Sequence, residues 1–230
     1  MAELEVLLQH GWALDSTMWS RWIEVARQSD PTINIKVAER GYFCAPSFQP
    51  TFSDNDSLKI LIVHSLGLHL ASKPLFEKAD LLVVIGGFAN FHDGTERESR
   101  LSQIAVRKML QKLDREPVQV VQDFYINCGF PVDFGSEKSA QLKNLQLIKS
   151  DLELLHRSTI NANWLSLPSE ILLLHGELDT IAPAYHALRL RELCRRGAVE
   201  VHNQGTHALP YDQPSWCVNQ IQKCLLVARQ

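Results

Sequence analysis

The sequence predicts an α/β protein: a mostly parallel sheet of about six strands, helices on both faces, and a helical segment inserted before the last two strands. Two observations carry this. Apolar runs at Leu4 to Gln9, Ile33 to Ala38, Ile60 to Val63, Asp80 to Ile85, Glu170 to His175 and Ala198 to His202 are separated by helical or loop segments. Most of these runs lack polar alternation, which marks strands covered on both faces. The stretch from about Phe88 to Trp164 has helical periodicity and no strand. The expected division is a core of residues 1–87 and 165–230 with a helical lid of residues 88–164.

Taken in order, Leu4 to Gln9 is a strand that runs directly into the turn His10-Gly11-Trp12. Ser16 is expected to cap a helix through about Gln28, with Met18, Trp19, Trp22, Ile23 and Ala26 inward. After the strand Ile33 to Ala38, the residues from Gly41 to Ser57 carry Pro46, Pro50 and several serines and read as loop. Lys59 to Val63 is a strand followed by His64-Ser65-Leu66-Gly67, and Leu66, Leu68, Leu70 and Ala71 begin a helix. A serine at the apex of a strand-turn-helix projects from the sheet towards backbone N–H groups able to hold a developing oxyanion.

Beyond Gly86-Gly87, Glu96 to Glu116 reads as one amphipathic helix with Leu101, Ala105, Met109 and Leu113 on one side. Pro117 opens a second helix reaching Cys128, and Ser136 a third that carries Leu142, Leu145, Ile148, Leu152 and Leu155. Strand Glu170 to His175 leads into Gly176-Glu177-Leu178-Asp179. A helix from Tyr185 to Arg196, the strand Ala198 to His202 and the loop Gln204 to Pro210 with His207 follow, and the last helix spans about Pro214 to Ala228.

The 230 residues are 45% hydrophobic, enough for one α/β domain with a sizeable core. A net charge of −3 gives no global reason to expect nucleic acid or an anionic membrane as partner. The longest apolar runs are far shorter than a membrane span. Five cysteines are scattered without a Cys-x-x-Cys spacing, and Met1 to Glu5 lacks the basic and apolar segments of a signal peptide. The expectation is a soluble protein of the reducing cytoplasm.

Ser65, Asp179 and His207 each follow a strand at its C-terminal end, which in a parallel sheet is one edge of the molecule. Each alone has a plain reading: a turn serine, a turn aspartate, a loop histidine. Together they supply what acyl transfer needs, namely a hydroxyl nucleophile, an imidazole to take its proton and a carboxylate to orient the imidazole. Asp93, in the loop after the preceding strand, is a second candidate for the acid. His10, His64 and His207 lack the spacing of a metal-ligand set, and no cofactor is called for.

The chain order Ser, Asp, His and the motifs Leu7 to Trp12, His64-Ser65-Leu66-Gly67, Leu165-Ser166-Leu167-Pro168, Leu174 to Asp179 and Thr206-His207-Ala208 resemble the α/β-hydrolases. Within that superfamily they are similar to the pimeloyl-[acyl-carrier protein] methyl ester esterases of biotin synthesis. The resemblance implies a serine carboxylesterase with Ser65 as nucleophile, His207 as base and Asp179 as acid. It also implies Trp12 and Leu66 as backbone donors and Phe124 facing the acyl chain. A thioesterase or general small-ester hydrolase with the same triad, or a non-catalytic ligand binder on this fold, are the alternatives. With little chain before His10-Gly11-Trp12, the sheet is expected to lack the first two strands usual in this superfamily. Val63 stands where the elbow motif has glycine, so the turn is expected to open or its helix to shift.

Arg97, Arg100, Arg107, Lys108, Lys112 and Arg115 fall within an arc of about 140° at 100° per residue. Many such stripes are only solvated faces. Beside a pocket mouth this one is expected to dock an acidic acyl-carrier protein.

Overall fold

The structure, a computed structural model, describes residues 3–43 and 46–227. Cys44 and the expected final helical residue, Ala228, lie outside the described residues. The expected strands form as β1 (Leu4–Gln9), β2 (Asn34–Val37), β3 (Leu58–His64), β4 (Leu81–Ile85), β5 (Glu170–Gly176) and β6 (Ala198–His202). Among the described residues they make one sheet of six strands in the order β2-β1-β3-β4-β5-β6, with every pair parallel.

Continuous apolar runs are required because both sheet faces are covered. Val6, Leu8, Ile60, Ile62, Val83 and Leu174 pack into one cluster, and the intervening Leu7, Leu61, Val63, Val84 and Leu173 into another. Truncating one of these to alanine costs about 2–5 kcal/mol. The chain moves from β1 to β2 on one side and then returns to place β3 on the other side of β1. That reversal opens a crevice between the C-terminal ends of β1 and β3, the usual place for a ligand site in a parallel sheet.

The first helical segment departs from expectation at its start. Asp15, not Ser16, is the cap, its carboxylate accepting from Thr17 N at 3.0 Å. A 3-10 turn at Ser16–Trp19 precedes α1 (Ser20–Ser29). After the elbow, α2 (Gly67–Leu70) is a single turn, and the chain extends at Ala71 before α3 (Lys73–Lys78). Pro74 cannot continue the first helix, because it lacks an N–H and its ring crowds the preceding turn. The Val63 side chain packs with Leu68 and Ala71 at this break.

The segment between β4 and β5 holds α4 (Glu96–Leu113), α5 (Pro117–Cys128), α6 (Val132–Ala140) and α7 (Leu145–Arg157). Three corrections follow. The helix expected to begin at Ser136 is two helices, with Ser136 inside the first, because Asn144 caps α7 by accepting from Leu147 N. The N–H groups of Lys143 and Asn144 are also spent on Tyr42 O, which fixes the break. Helix α4 stops at Leu113, leaving Arg115 beyond its end. Its fully buried residues are Val106 and Leu113, whereas Leu101 is 56% exposed.

Buried contacts seat this helical segment on the core. Arg40 grips Asp151 of α7 with two 2.7 Å bonds, and Tyr42 Oη donates to the same carboxylate at 2.6 Å. Trp12 Nε1 donates to Ile148 O at 2.8 Å. The two ends of the segment meet where Asn90 bridges Thr159. After β5 come α8 (Tyr185–Leu193), shorter than the expected helix to Arg196, then α9 (Leu209–Asp212) and α10 (Pro214–Val227). No helix among the described residues is long and apolar enough to cross a membrane.

Candidate active site

Gln9 of β1 pairs with Val63 of β3, so the next residues along, Gly11 and Ser65, leave the sheet side by side. A β-carbon placed on Gly11 would lie 2.9 Å from both the His64 carbonyl oxygen and the Ser65 β-carbon, and 3.3 Å from Leu66 N. Only glycine fits that corner. Among the described residues, the non-glycine residues with positive φ are Ser65 (53°) and Ala13 (51°). Both flank the crevice. Such backbone costs on the order of 1–3 kcal/mol and concentrates where geometry serves function.

Neither Trp12 N nor Leu66 N donates a hydrogen bond to a described residue. Ser65 N, by contrast, is committed to Ile85 O at 2.9 Å. One free donor thus follows Ser65 directly and the other follows Gly11, which packs against the Ser65 turn.

The turn after β5 and the loop after β6 bring Asp179 and His207 together, with His207 Nδ1 2.7 Å from Asp179 Oδ2. Asp179 Oδ1 accepts from the amides of Ile181 and Ala182 at 2.9 and 2.8 Å. Burial alone would raise the carboxyl's pKa, but the neighbouring His207 and His175 overcome it and hold Asp179 well below the usual carboxylate range. An ionised Asp179 can only accept, so His207 carries its proton on Nδ1 and presents a lone pair on Nε2. Nε2 is buried and has no partner among the described residues, and no hydrogen bond joins it to Ser65. Such bonds often form only with substrate in place. Asp93 makes no bond to His207; its main-chain oxygen accepts from Tyr185 Oη at 3.0 Å.

A cavity of about 710 Å³ lies between the inserted helices and the core. Its wall includes Trp12, Phe124, Val106, Met109, Leu152 and Ile181. Trp12 and Phe124 meet edge to face, ring centres 4.8 Å apart. Ser65 and His207 are 3% and 1% exposed and are not on this wall; Trp12, which is, directly follows the Gly11 that packs against the Ser65 turn. A second cavity of about 410 Å³ sits at the start of β5 and β6, at the opposite ends of the strands.

Of the basic residues on or beside α4, Arg97, Arg100, Arg107, Lys108, Lys112 and Arg115 are all exposed, while Val106 and Met109 of the same helix face the cavity. No group of His, Cys, Asp or Glu arranged to hold a metal occurs among the described residues. His10 instead bonds the main chain, its Nε2 accepting from Arg40 N at 3.2 Å.

Three site features escaped the sequence reading: the strained Ala13, the bond from His64 to the His207 carbonyl, and His186 on the cavity wall. The one sequence signal for His64 is its place beside Ser65. For Ala13 and His186 there is none, because each acquires its role from residues distant in the chain.

The sequence matches no protein-family model and no curated protein. Solved structures match over nearly the whole chain. The esterase EaEST from Exiguobacterium antarcticum superposes with a TM-score of 0.77 at 14% identity, covering 96% of this chain and 91% of that one. A bromoperoxidase from Bacillus anthracis gives 0.73 at 14% identity, covering 100% and 93%. An enol-lactonase from Burkholderia xenovorans LB400 gives 0.72 at 10% identity, covering 98% and 92%. At such identities the likeness is one of architecture, and the architecture is the α/β-hydrolase fold.

Proposed function

We propose that this protein is a serine ester hydrolase. The observation that carries the reading is the buried Asp179–His207 pair at the same sheet edge as Ser65, whose backbone is held in the left-handed region at the end of β3. Ser65 Oγ attacks the ester carbonyl carbon while His207 Nε2 takes its proton, and Asp179 stabilises the imidazolium. The carbonyl oxygen becomes an oxyanion held by the N–H groups of Leu66 and Trp12. The tetrahedral species collapses, the C–O bond breaks, and the alcohol leaves with the proton from His207. Water then attacks the acyl-Ser65 ester, giving its proton to His207, and the acid departs as Ser65 regains its hydrogen. Several of the similar structures are named esterases, which agrees with this chemistry.

The finer reading is hydrolysis of the methyl ester of a pimeloyl chain held on acyl-carrier protein. It is supported by the resemblance of the sequence motifs, by a cavity walled by Phe124 and Trp12, and by the basic residues exposed on the helix that borders the cavity. A diacid linked to a carrier at one end and methylated at the other has no free carboxylate, which suits a cavity lined by no lysine or arginine. A general small-ester hydrolase uses the same residues without the carrier.

The test is intact-mass and peptide spectrometry after treatment with a fluorophosphonate. A single adduct on Ser65, absent in His207→Ala, is expected. A protein that stays unmodified while hydrolysing no ester is a ligand binder and not an enzyme of this kind.

A further inference from the structure

His186, on α8, lines the 710 Å³ cavity and is 1% exposed, yet no hydrogen bond engages either of its ring nitrogens among the described residues. Its ring is held by aromatic neighbours: Tyr185 at 4.4 Å between centres, Phe91 stacked at 6.3 Å and 9°, and Phe88 at 6.1 Å. A buried polar group left without a partner forfeits its hydration with nothing in return, so its persistence asks for a ligand. The other polar side chains of the wall are already engaged or lie at the rim. Tyr185 Oη donates to Asp93 O, Ser102 Oγ to Ser99 O, Thr180 Oγ1 to Asn127 O, and Glu98 accepts from Thr95. Asn127 is exposed.

We propose that His186 is the polar recognition point of this cavity, hydrogen-bonding an uncharged oxygen carried along the acyl chain. The site then takes neutral esters bearing a second oxygen, such as a keto, ester or hydroxyl group, and rejects acyl chains that end in a carboxylate. Burial pushes the His186 imidazole down to about 4, so at neutral pH it is uncharged and offers one donor and one acceptor. A carboxylate entering the cavity would meet no lysine or arginine and would share the wall with the negative Glu98. Its lost hydration would go uncompensated.

The ester-hydrolase reading above supplies the word acyl here, so the test is made without turnover. Calorimetric binding of ethyl hexanoate, ethyl 5-oxohexanoate and monoethyl adipate to Ser65→Ala protein at neutral pH compares an alkyl, a keto and a carboxylate terminus. The keto ester is expected to bind about three- to tenfold more tightly than the alkyl ester, the worth of one neutral hydrogen bond, and the adipate most weakly. Adding His186→Phe, which keeps the ring among its aromatic neighbours, should bring the keto-to-alkyl ratio close to one. His186→Gln, which retains a donor and an acceptor, should keep it. An unchanged ratio in folded His186→Phe protein, or tightest binding of the adipate, overturns the proposal. Failure of the hydrolase reading shows elsewhere, as absent fluorophosphonate labelling of Ser65 in the wild-type protein.

Discussion

His64 Nε2 lies 2.8 Å from the main-chain oxygen of His207, so the residue before the proposed nucleophile holds the loop of the proposed base. A carbonyl can only accept, so His64 keeps its proton on Nε2. Burial, aided by the neighbouring His207, pushes its pKa down to about 3, which keeps the ring neutral. His207 is thereby fixed twice, at its side chain by Asp179 and at its backbone by His64. Replacing the donor, as in His64→Phe, is expected to lower kcat about tenfold on every ester with little change in KM. The stranded carbonyl should cost about 1–3 kcal/mol of stability. If kcat is unchanged while stability falls, His64 serves the fold alone.

The triad is expected to act as a unit. Ser65→Ala and His207→Ala should each abolish ester hydrolysis, and the double variant should be little worse than either. Losses that multiply would mean independent roles. Because His207 bonds Asp179 and not Asp93, Asp179→Asn should be crippled and Asp93→Asn close to wild type, read as kcat/KM on p-nitrophenyl butyrate.

Stability should weaken in mild acid. Burial holds His64 at about 3 and His69 and His186 at about 4 in the folded protein, whereas an unfolded chain protonates histidine near ~6.5. Below that value the unfolded state binds protons the folded state refuses, so the free energy of unfolding falls as pH drops from ~6.5 towards 4. Urea unfolding at a series of pH values should show a slope approaching about three protons from His64, His69 and His186, one for each. His69→Gln should reduce it by about one. A flat profile between neutral pH and about 5 would contradict the buried neutral state.

Docking of an acidic carrier along α4 predicts a split by substrate. Arg100 and Arg107 are exposed, and among the described residues the one hydrogen bond of the Arg107 side chain is at 3.2 Å to the neutral Gln103. Exposed charges are screened beyond about 8 Å at physiological ionic strength. Salt, or reversal to Arg100→Glu and Arg107→Glu, should depress kcat/KM on a carrier-linked ester and spare p-nitrophenyl butyrate. Equal loss on both would mean that α4 only supports the cavity wall.

What the sequence determined is what local pattern encodes. Six runs became six strands; the inner ones, β1, β3, β4 and β5, are mostly apolar because both their faces are covered, and the half-exposed edge strand β6 still matches its expected span, Ala198–His202. The elbow at Ser65 was legible because a strand, a turn and a helical start are adjacent in the chain. The split of the third inserted helix was not. It depends on Tyr42, about a hundred residues away, taking the N–H groups of Lys143 and Asn144. Asp179 was named from the chain order with Asp93 left open beside it, and packing, which sets Asp179 against His207, is what separates the two. The reversal of strand order between β1 and β3 places Gly11 against Ser65, and the docking of the inserted helices creates the cavity on whose wall the unpartnered His186 lies. Periodicity reports which residues are buried, whereas the partner of each polar group is set by contacts between segments remote in the chain, and those only the tertiary structure decides.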